Sequence, residues 1–141
     1  EGAILKKDPI FFYYWGPTWL LGKVGDQLVR LEEPAYDVKV WEKMQATENP
    51  EDVTEATAYP VIAVTVSVSG PFHDEAPRLV EMLTHYHTSA QMVSELLAWM
   101  QDNRASPEAA AREFLSSRED VWSSWVPDDV AAKVRDALSA S

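Results

Sequence analysis

An aromatic segment from Phe11 to Trp19, with the sequence Phe-Phe-Tyr-Tyr-Trp-Gly-Pro-Thr-Trp, holds the residues best suited to ligand chemistry. The electron-rich face of tryptophan attracts a cation that lies within about 6 Å of the ring centroid. A quaternary ammonium group has no N–H donor, so stacked aromatic rings are the natural way to bind it. The alternative is that Trp15 and Trp19 pack in a core, and residue type leaves both hypotheses open.

No catalytic motif accompanies these rings. The sequence has no glycine-rich phosphate loop, no His-Glu-x-x-His pair and no Gly-x-Ser-x-Gly elbow. His85 and His87 are two residues apart and point to different faces of a helix, which argues against a metal site. The neighbouring carboxylates of Glu32 and Glu33 precede Pro34 and are expected in a solvated loop. We therefore expect no enzymatic activity, no metal ion and no cofactor.

The composition is that of an acidic globular chain. It has 141 residues, of which 46 % are hydrophobic and 25 % charged, with a formal net charge of −11 and no cysteine. The length fits one domain with its own core. The negative charge argues against nucleic acid or an anionic membrane as a partner, because its field repels phosphates, and it is compatible with a small cationic ligand. No apolar run approaches the roughly 20 residues that cross a membrane.

The first half of the chain is predicted to consist of strands and loops. Apolar and β-branched runs predict three strands, at Pro9–Trp15, Gln27–Pro34 and Tyr59–Gly70. Alternation in the first strand places Tyr13 on the same face as Trp15. Tyr59–Gly70 has the strongest pattern and is long enough to cross between two lobes. A short helix is predicted at Thr18–Lys23. Residues 35–58 are polar and acidic, and residues 47–57 are the clearest loop among them.

Four helices are predicted in the second half, where apolar residues recur at helical spacing. Their starts are marked by Pro77, by a capping box at Thr88-Ser89-Ala90-Gln91, by Ser106-Pro107 and by Pro127-Asp128. Aromatic residues on both faces of the first predicted strand indicate a sheet covered by helices. The pattern as a whole therefore predicts an α/β fold, with strands in the first half and about four helices in the second.

Two stretches resemble the substrate-binding proteins of ABC importers for glycine betaine, choline and related quaternary amines. Trp15-Gly16-Pro17-Thr18-Trp19 is similar to the Trp-x-Pro-x-Trp segment of that family, and Asp120–Pro127 resembles part of its carboxy-terminal region. The similarity extends over nearly the whole chain. It implies a fold of the periplasmic binding protein type II class, in which crossing strands hinge two lobes and the ligand lies in the cleft between them.

The resemblance also implies roles for individual residues. Trp15 is expected to form one wall of an aromatic cage around a trimethylammonium head, with Trp19 either packed behind it or touching the ligand. Tyr13 and Tyr14 are weaker candidates, since alternation lets only one share the face of Trp15. Many relatives have histidine where this chain has Thr18, which offers a carboxylate one hydroxyl and no charge. Glycine betaine, choline, carnitine and other quaternary amines therefore all stay open as ligands.

Family members are longer than this chain, so the resemblance implies a carboxy-terminal portion of a two-lobed protein. Residues 1–58 would belong to the second lobe, 59–70 to the crossover strand and 71–141 to the first lobe. A portion of this kind is expected to bind ligand weakly and to expose strand edges that favour dimerisation or strand exchange. The parent protein is expected in the periplasm or at the outer face of the cytoplasmic membrane, where it delivers solute to a permease subunit.

A second hypothesis treats the chain as a non-catalytic protein-interaction domain. In that case the aromatic segment forms the core, and the acidic surface binds a basic partner. Solvent access to Trp15 discriminates between the two hypotheses. A buried indole favours protein interaction, whereas an exposed indole favours a ligand site.

Overall fold

The computed structural model describes residues 1–140, and helices are the regular structure found there. The α-helices are α1 (Gly2–Lys6), α2 (Trp19–Val24), α3 (Val38–Ala46), α4 (Gly70–Glu75), α5 (Pro77–His85), α6 (Ala90–Asn103), α7 (Pro107–Ser117), α8 (Glu119–Trp122) and α9 (Asp128–Ser139). Short 3₁₀ turns lie at Gly25–Gln27, Pro50–Asp52 and Ser123–Trp125.

The predicted α/β fold class is wrong for residues 1–140, because they contain no β-strand and no sheet. The segments predicted as strands are Pro9–Trp15, Gln27–Pro34 and Tyr59–Gly70, and each is mostly without regular structure. A strand exists only when its backbone N–H and C=O groups pair with a neighbouring strand. None of the three segments finds such a neighbour in the described chain. Despite their β propensity, these segments therefore do not form the sheet that the periplasmic binding protein type II fold requires.

The predicted helices of the second half are confirmed, and two of them begin at capping serines. Helix α6 follows Ser89, whose Oγ accepts a hydrogen bond from the Met92 N–H at 3.1 Å. Helix α7 starts with Pro107, and the Oγ of Ser106 accepts from the Ala109 N–H at 3.2 Å. These bonds satisfy donors that the first helical turn leaves without partners. The short helices α4 and α8 are additional to the four predicted.

The chain divides into two compact units, and the larger comprises Glu1–Leu28 together with the residues from Val68 onward. Its buried residues are mostly small, namely Val24, Ser94, Ala98, Ala110, Trp122 and Ala131. Trp122 is the one large side chain among them, and its Nε1–H donates to the Leu115 carbonyl at 2.7 Å. That bond satisfies the polar atom of an otherwise apolar ring, so the indole is buried without an unpaired donor.

The smaller unit, Val29–Ser67, is organised by helix α3. The Asp37 carboxylate caps this helix by accepting from the N–H groups of Lys39 at 2.8 Å and Val40 at 3.2 Å. The helix falls within the stretch 35–58, whose sequence indicates only a polar and acidic character, with residues 47–57 as its clearest loop. The missed signals were the Asp37 cap and the half-buried side chains of Val40, Trp41 and Met44 at helical spacing.

A small aromatic cluster links helix α3 to the segments before and after it. The ring of Trp41 lies 6.4 Å from that of Tyr36 and 5.3 Å from that of Tyr59, measured between centroids. Both distances lie in the range of favourable edge contacts between rings. Lys43 and Glu55 form an ion pair beside it. Tyr36 and Tyr59 stay exposed and Trp41 is half-buried, so the cluster is a set of ring contacts at the surface of this unit.

Candidate ligand-binding segment

Helix α2, which follows the aromatic segment, is packed closely against α6. A Cβ atom added to Gly22 would lie 2.0 Å from the carbonyl oxygen of Ser94, far inside van der Waals contact. Only glycine therefore allows the two helices to approach this closely. Val24 of α2 and Ala98 of α6 are buried as well. Sequence reasoning missed this role of Gly22, whose signal was a glycine inside a helical pattern.

Polar contacts reinforce the attachment of α2. The backbone N–H of Thr18 donates to Ser94 Oγ at 3.2 Å. At the other end of the helix, Lys23 Nζ lies 2.5 Å from Asp102 Oδ1 and 3.3 Å from Glu1 Oε1. The hydrogen bond with Asp102, followed by that with Glu1, raises the pKa of Lys23 above its ordinary value of 10.5. These contacts hold both ends of α2 in place.

Thr18 caps α2, which confirms the short helix predicted there. Its Oγ1 accepts a hydrogen bond from the Leu21 N–H at 3.4 Å, and its backbone is extended, as a helix cap requires. The hydroxyl hydrogen is not used in that bond and is able to donate to another group. The capping role was missed from sequence, although threonine before an apolar helix is a recognised start signal.

The aromatic side chains before α2 are open to solvent. Trp15 is 73 % exposed and Tyr13 64 %, whereas Trp19, the first residue of α2, is half-buried. Phe12 and Tyr14 contact each other edge to face, with centroids 5.9 Å apart. The hypothesis that Trp15 fills a core is therefore wrong. The protein presents this indole at its surface, directly before the cis Gly16–Pro17 peptide bond.

The Gly16 turn places the chain against α2. A Cβ atom at Gly16 would lie 2.8 Å from Leu21 Cδ1, so the backbone here contacts the Leu21 side chain at close range. The indole of Trp15 precedes this contact by one residue, and the Thr18 cap follows it by two. Trp15 is thus exposed at the edge of a well-anchored part of the chain.

A separate cleft of about 500 Å³ lies in the same unit, between α5 and the start of α9. Its apolar lining includes Leu79, Met82 and Trp125, with Arg78 and Lys133 among the charged residues. None of the four predicted site residues lines it. No group of three or more histidine, aspartate or glutamate side chains in residues 1–140 is arranged to hold a metal ion. Within the same residues, every helix is too short or too polar to span a bilayer.

Comparison with known families defines the class of protein. The family model for the substrate-binding domain of ABC-type glycine betaine transport systems matches residues 1–117. The chain belongs to this family. Its members are non-catalytic transport components. The aromatic segment lies inside the matched region, whereas Asp120–Pro127 lies beyond it. A search of curated proteins found no match.

Proposed function

We propose that Trp15 forms part of an aromatic site for a quaternary ammonium solute, such as glycine betaine or choline, which the protein delivers to the permease of an ABC importer. The observation that carries this proposal is the exposure of Trp15, 73 %, within the region matched by the family model. An exposed indole offers its π face to a cation, and a buried one does not. The competing hypothesis of an interaction domain with an aromatic core requires Trp15 to be buried and is not favoured.

We propose a different role in the site for each of the other candidates, Tyr13, Trp19 and Thr18. Tyr13 is exposed and two residues from Trp15, so it is a candidate for a second ring. Half-buried Trp19 is fixed at the start of α2 and is proposed to support Trp15 more than to touch ligand. The free hydroxyl hydrogen of Thr18 is proposed to donate to a ligand carboxylate or hydroxyl. A single neutral donor discriminates weakly between glycine betaine and choline.

The larger organisation follows from the family and is likewise a proposal. The resemblance would assign residues 1–58 to one lobe of a hinged receptor, residues 59–70 to the crossover and residues 71–141 to the other lobe, whereas Glu1–Leu28 and the residues from Val68 onward pack in this structure as one compact unit. The family's binding proteins typically act outside the cytoplasm, which supports a periplasmic or outer-face location. Closure around the solute would then signal occupancy to the permease.

NMR spectroscopy of the indole N–H groups provides a direct test, because each of the six tryptophans contributes its own resonance. We expect the Trp15 signal to shift on titration with choline and with glycine betaine, followed up to the highest soluble concentrations. A neutral analogue of choline, with a tert-butyl group in place of the trimethylammonium head, should have a much smaller effect because it lacks the charge that the ring attracts.

Two variants make this test specific. Trp15→Ala should abolish the response of the remaining signals, whereas Phe11→Ala, which removes another exposed ring from the same segment, should leave it intact. Equal shifts with the charged solutes and the neutral analogue would contradict a cation–π site. A response that survives Trp15→Ala would place the solute elsewhere.

A further inference from the structure

The cleft between α5 and the start of α9 is separate from the aromatic segment. Its volume of about 500 Å³ lies in the range of small-molecule sites in proteins, and none of the four residues predicted for the ligand site lines it. The wall from Ser124 to Lys133 also lies beyond residues 1–117, which the family model matches. Membership of the family therefore assigns no role to this cleft.

The apolar wall of the cleft is held in place by contacts among aromatic rings. Trp125 lines the cleft, and its ring centroid lies 4.7 Å from that of Tyr86 and 5.8 Å from that of Phe114. Met82 and Val126 continue the apolar lining and are half-buried, as Trp125 is. Because two other rings already fix the indole, a ligand that packs on this wall imposes little further order, which lowers the entropic cost of binding.

Two cationic side chains lie at the same cleft. Arg78, on α5, is exposed and forms no ion pair within residues 1–140, although Glu81 follows it by about one helical turn. Lys133 lies 3.6 Å from Asp129, but both side chains are largely exposed, so this ion pair is weak. A planar guanidinium group presents parallel N–H donors that match the two oxygens of a carboxylate. Arg78 is therefore the group best able to bind an anion here.

We propose that this cleft binds a small carboxylate with an apolar body, which packs on the Trp125 wall while its head group accepts hydrogen bonds from Arg78. An inorganic anion fits less well, because it leaves the apolar wall in water. A quaternary amine also fits less well, because Arg78 and Lys133 outnumber Glu81 among the lining residues. The net charge of −11 repels anions at long range, but physiological salt screens charges more than about 8 Å apart. The nearby cations therefore decide which sign of ligand is bound.

NMR titration of the full chain with phenylbutyrate tests the proposal, read from the indole N–H resonance of Trp125. We expect this resonance to shift with a dissociation constant on the order of 1 mM, since the ligand makes few contacts. Acetate has the charge without the apolar body, and phenylbutyramide has the body without the charge, so each should bind at least about fivefold more weakly. An unshifted Trp125 resonance, a shift of Trp15 alone, or equal affinity for phenylbutyramide would overturn the proposal.

Three charge variants test the part played by Arg78. Arg78→Gln should weaken phenylbutyrate binding by about fivefold or more, because the guanidinium donors are lost. Glu81→Gln removes a carboxylate from the lining and should strengthen binding by about twofold. Arg112→Gln changes the net charge as much as Arg78→Gln does, but it lies on α7 outside the cleft lining and should bind like the unmodified chain.

Circular dichroism checks the fold of these variants. All three positions are exposed, so the helix content should be unchanged. Unchanged affinity of Arg78→Gln would contradict the carboxylate site. Equal losses for Arg78→Gln and Arg112→Gln would contradict it too, because the effect would then come from net charge rather than from the cleft.

Discussion

Helix α6 and the segment Val61–Ser67 are both rich in apolar residues, yet they differ in what they need from the rest of the protein. Helix α6 satisfies its backbone internally over Ala90–Asn103 and buries Ser94 and Ala98 against its surroundings. The segment Val61–Ser67 makes no backbone–backbone hydrogen bonds in residues 1–140 and leaves its valines exposed. A helix needs only its own sequence to satisfy its backbone, whereas a strand needs a second segment. Apolar composition by itself therefore does not indicate which part of a chain is packed.

The sharpest test of this contrast uses the same substitution in a packed and an open region. Trp122 is 3 % exposed and hydrogen-bonded, so Trp122→Ala should lower the free energy of unfolding by about 3–5 kcal/mol. Trp15→Ala should change it by no more than about 0.5 kcal/mol, because the indole is already in water. Urea denaturation followed by circular dichroism measures both. Similar losses for the two variants would show that the aromatic segment is packed in solution.

A glycine pair tests the contact that anchors the aromatic segment. Gly22→Ala should destabilise the protein by about 1–3 kcal/mol, because its Cβ would collide with the Ser94 carbonyl oxygen. Gly25 has helical backbone angles and nothing within 4 Å of an added Cβ, so Gly25→Ala should be neutral or stabilising by up to about 1 kcal/mol. Thermal unfolding compares the two variants. Equal effects would mean that α2 and α6 are not in close contact.

The smallest expected effect is the pH dependence of the Lys23 contacts. Because the folded state raises the pKa of Lys23, their contribution to stability is complete below the unfolded value near 10.5 and is lost as pH rises through the higher folded value. The stability difference between the unmodified chain and Lys23→Gln should therefore shrink above that pH. Asp102→Asn removes the largest cause of the shift and should suppress most of this dependence. A difference that stays constant with pH would contradict the ion pair.

The parts of the fold that sequence predicted are those with local causes. Ser106 followed by Pro107 predicts the start of α7, and in the structure Ser106 caps this helix. The run Tyr59–Gly70 predicts a strand just as clearly, but no strand forms in the described residues. The difference is physical, since a cap and its helix lie within one turn of each other, while strand pairing depends on a segment elsewhere. The α/β prediction was wrong for this reason.

The candidate site shows the same division. The motif Trp15-Gly16-Pro17-Thr18-Trp19 could be located from residue types and spacing, and the family it indicated is confirmed. The contacts that hold this motif in place could not be predicted, because Thr18 is hydrogen-bonded to Ser94, which is 76 residues away along the chain. Nothing local in the sequence marks Ser94 as a partner. The exposure of Trp15 likewise depends on how the whole segment lies, and no pattern near that residue specifies it.

The hydrogen bond from the Thr18 N–H to Ser94 has a consequence for binding thermodynamics. It fixes the backbone three residues beyond Trp15 before any solute arrives. Less motion is then frozen on binding, which reduces the entropic penalty that a small solute must overcome. Ser94→Ala is therefore expected to weaken the affinity for the solute through the loss of this backbone hydrogen bond. Calorimetry should detect the change as a less favourable entropy of binding.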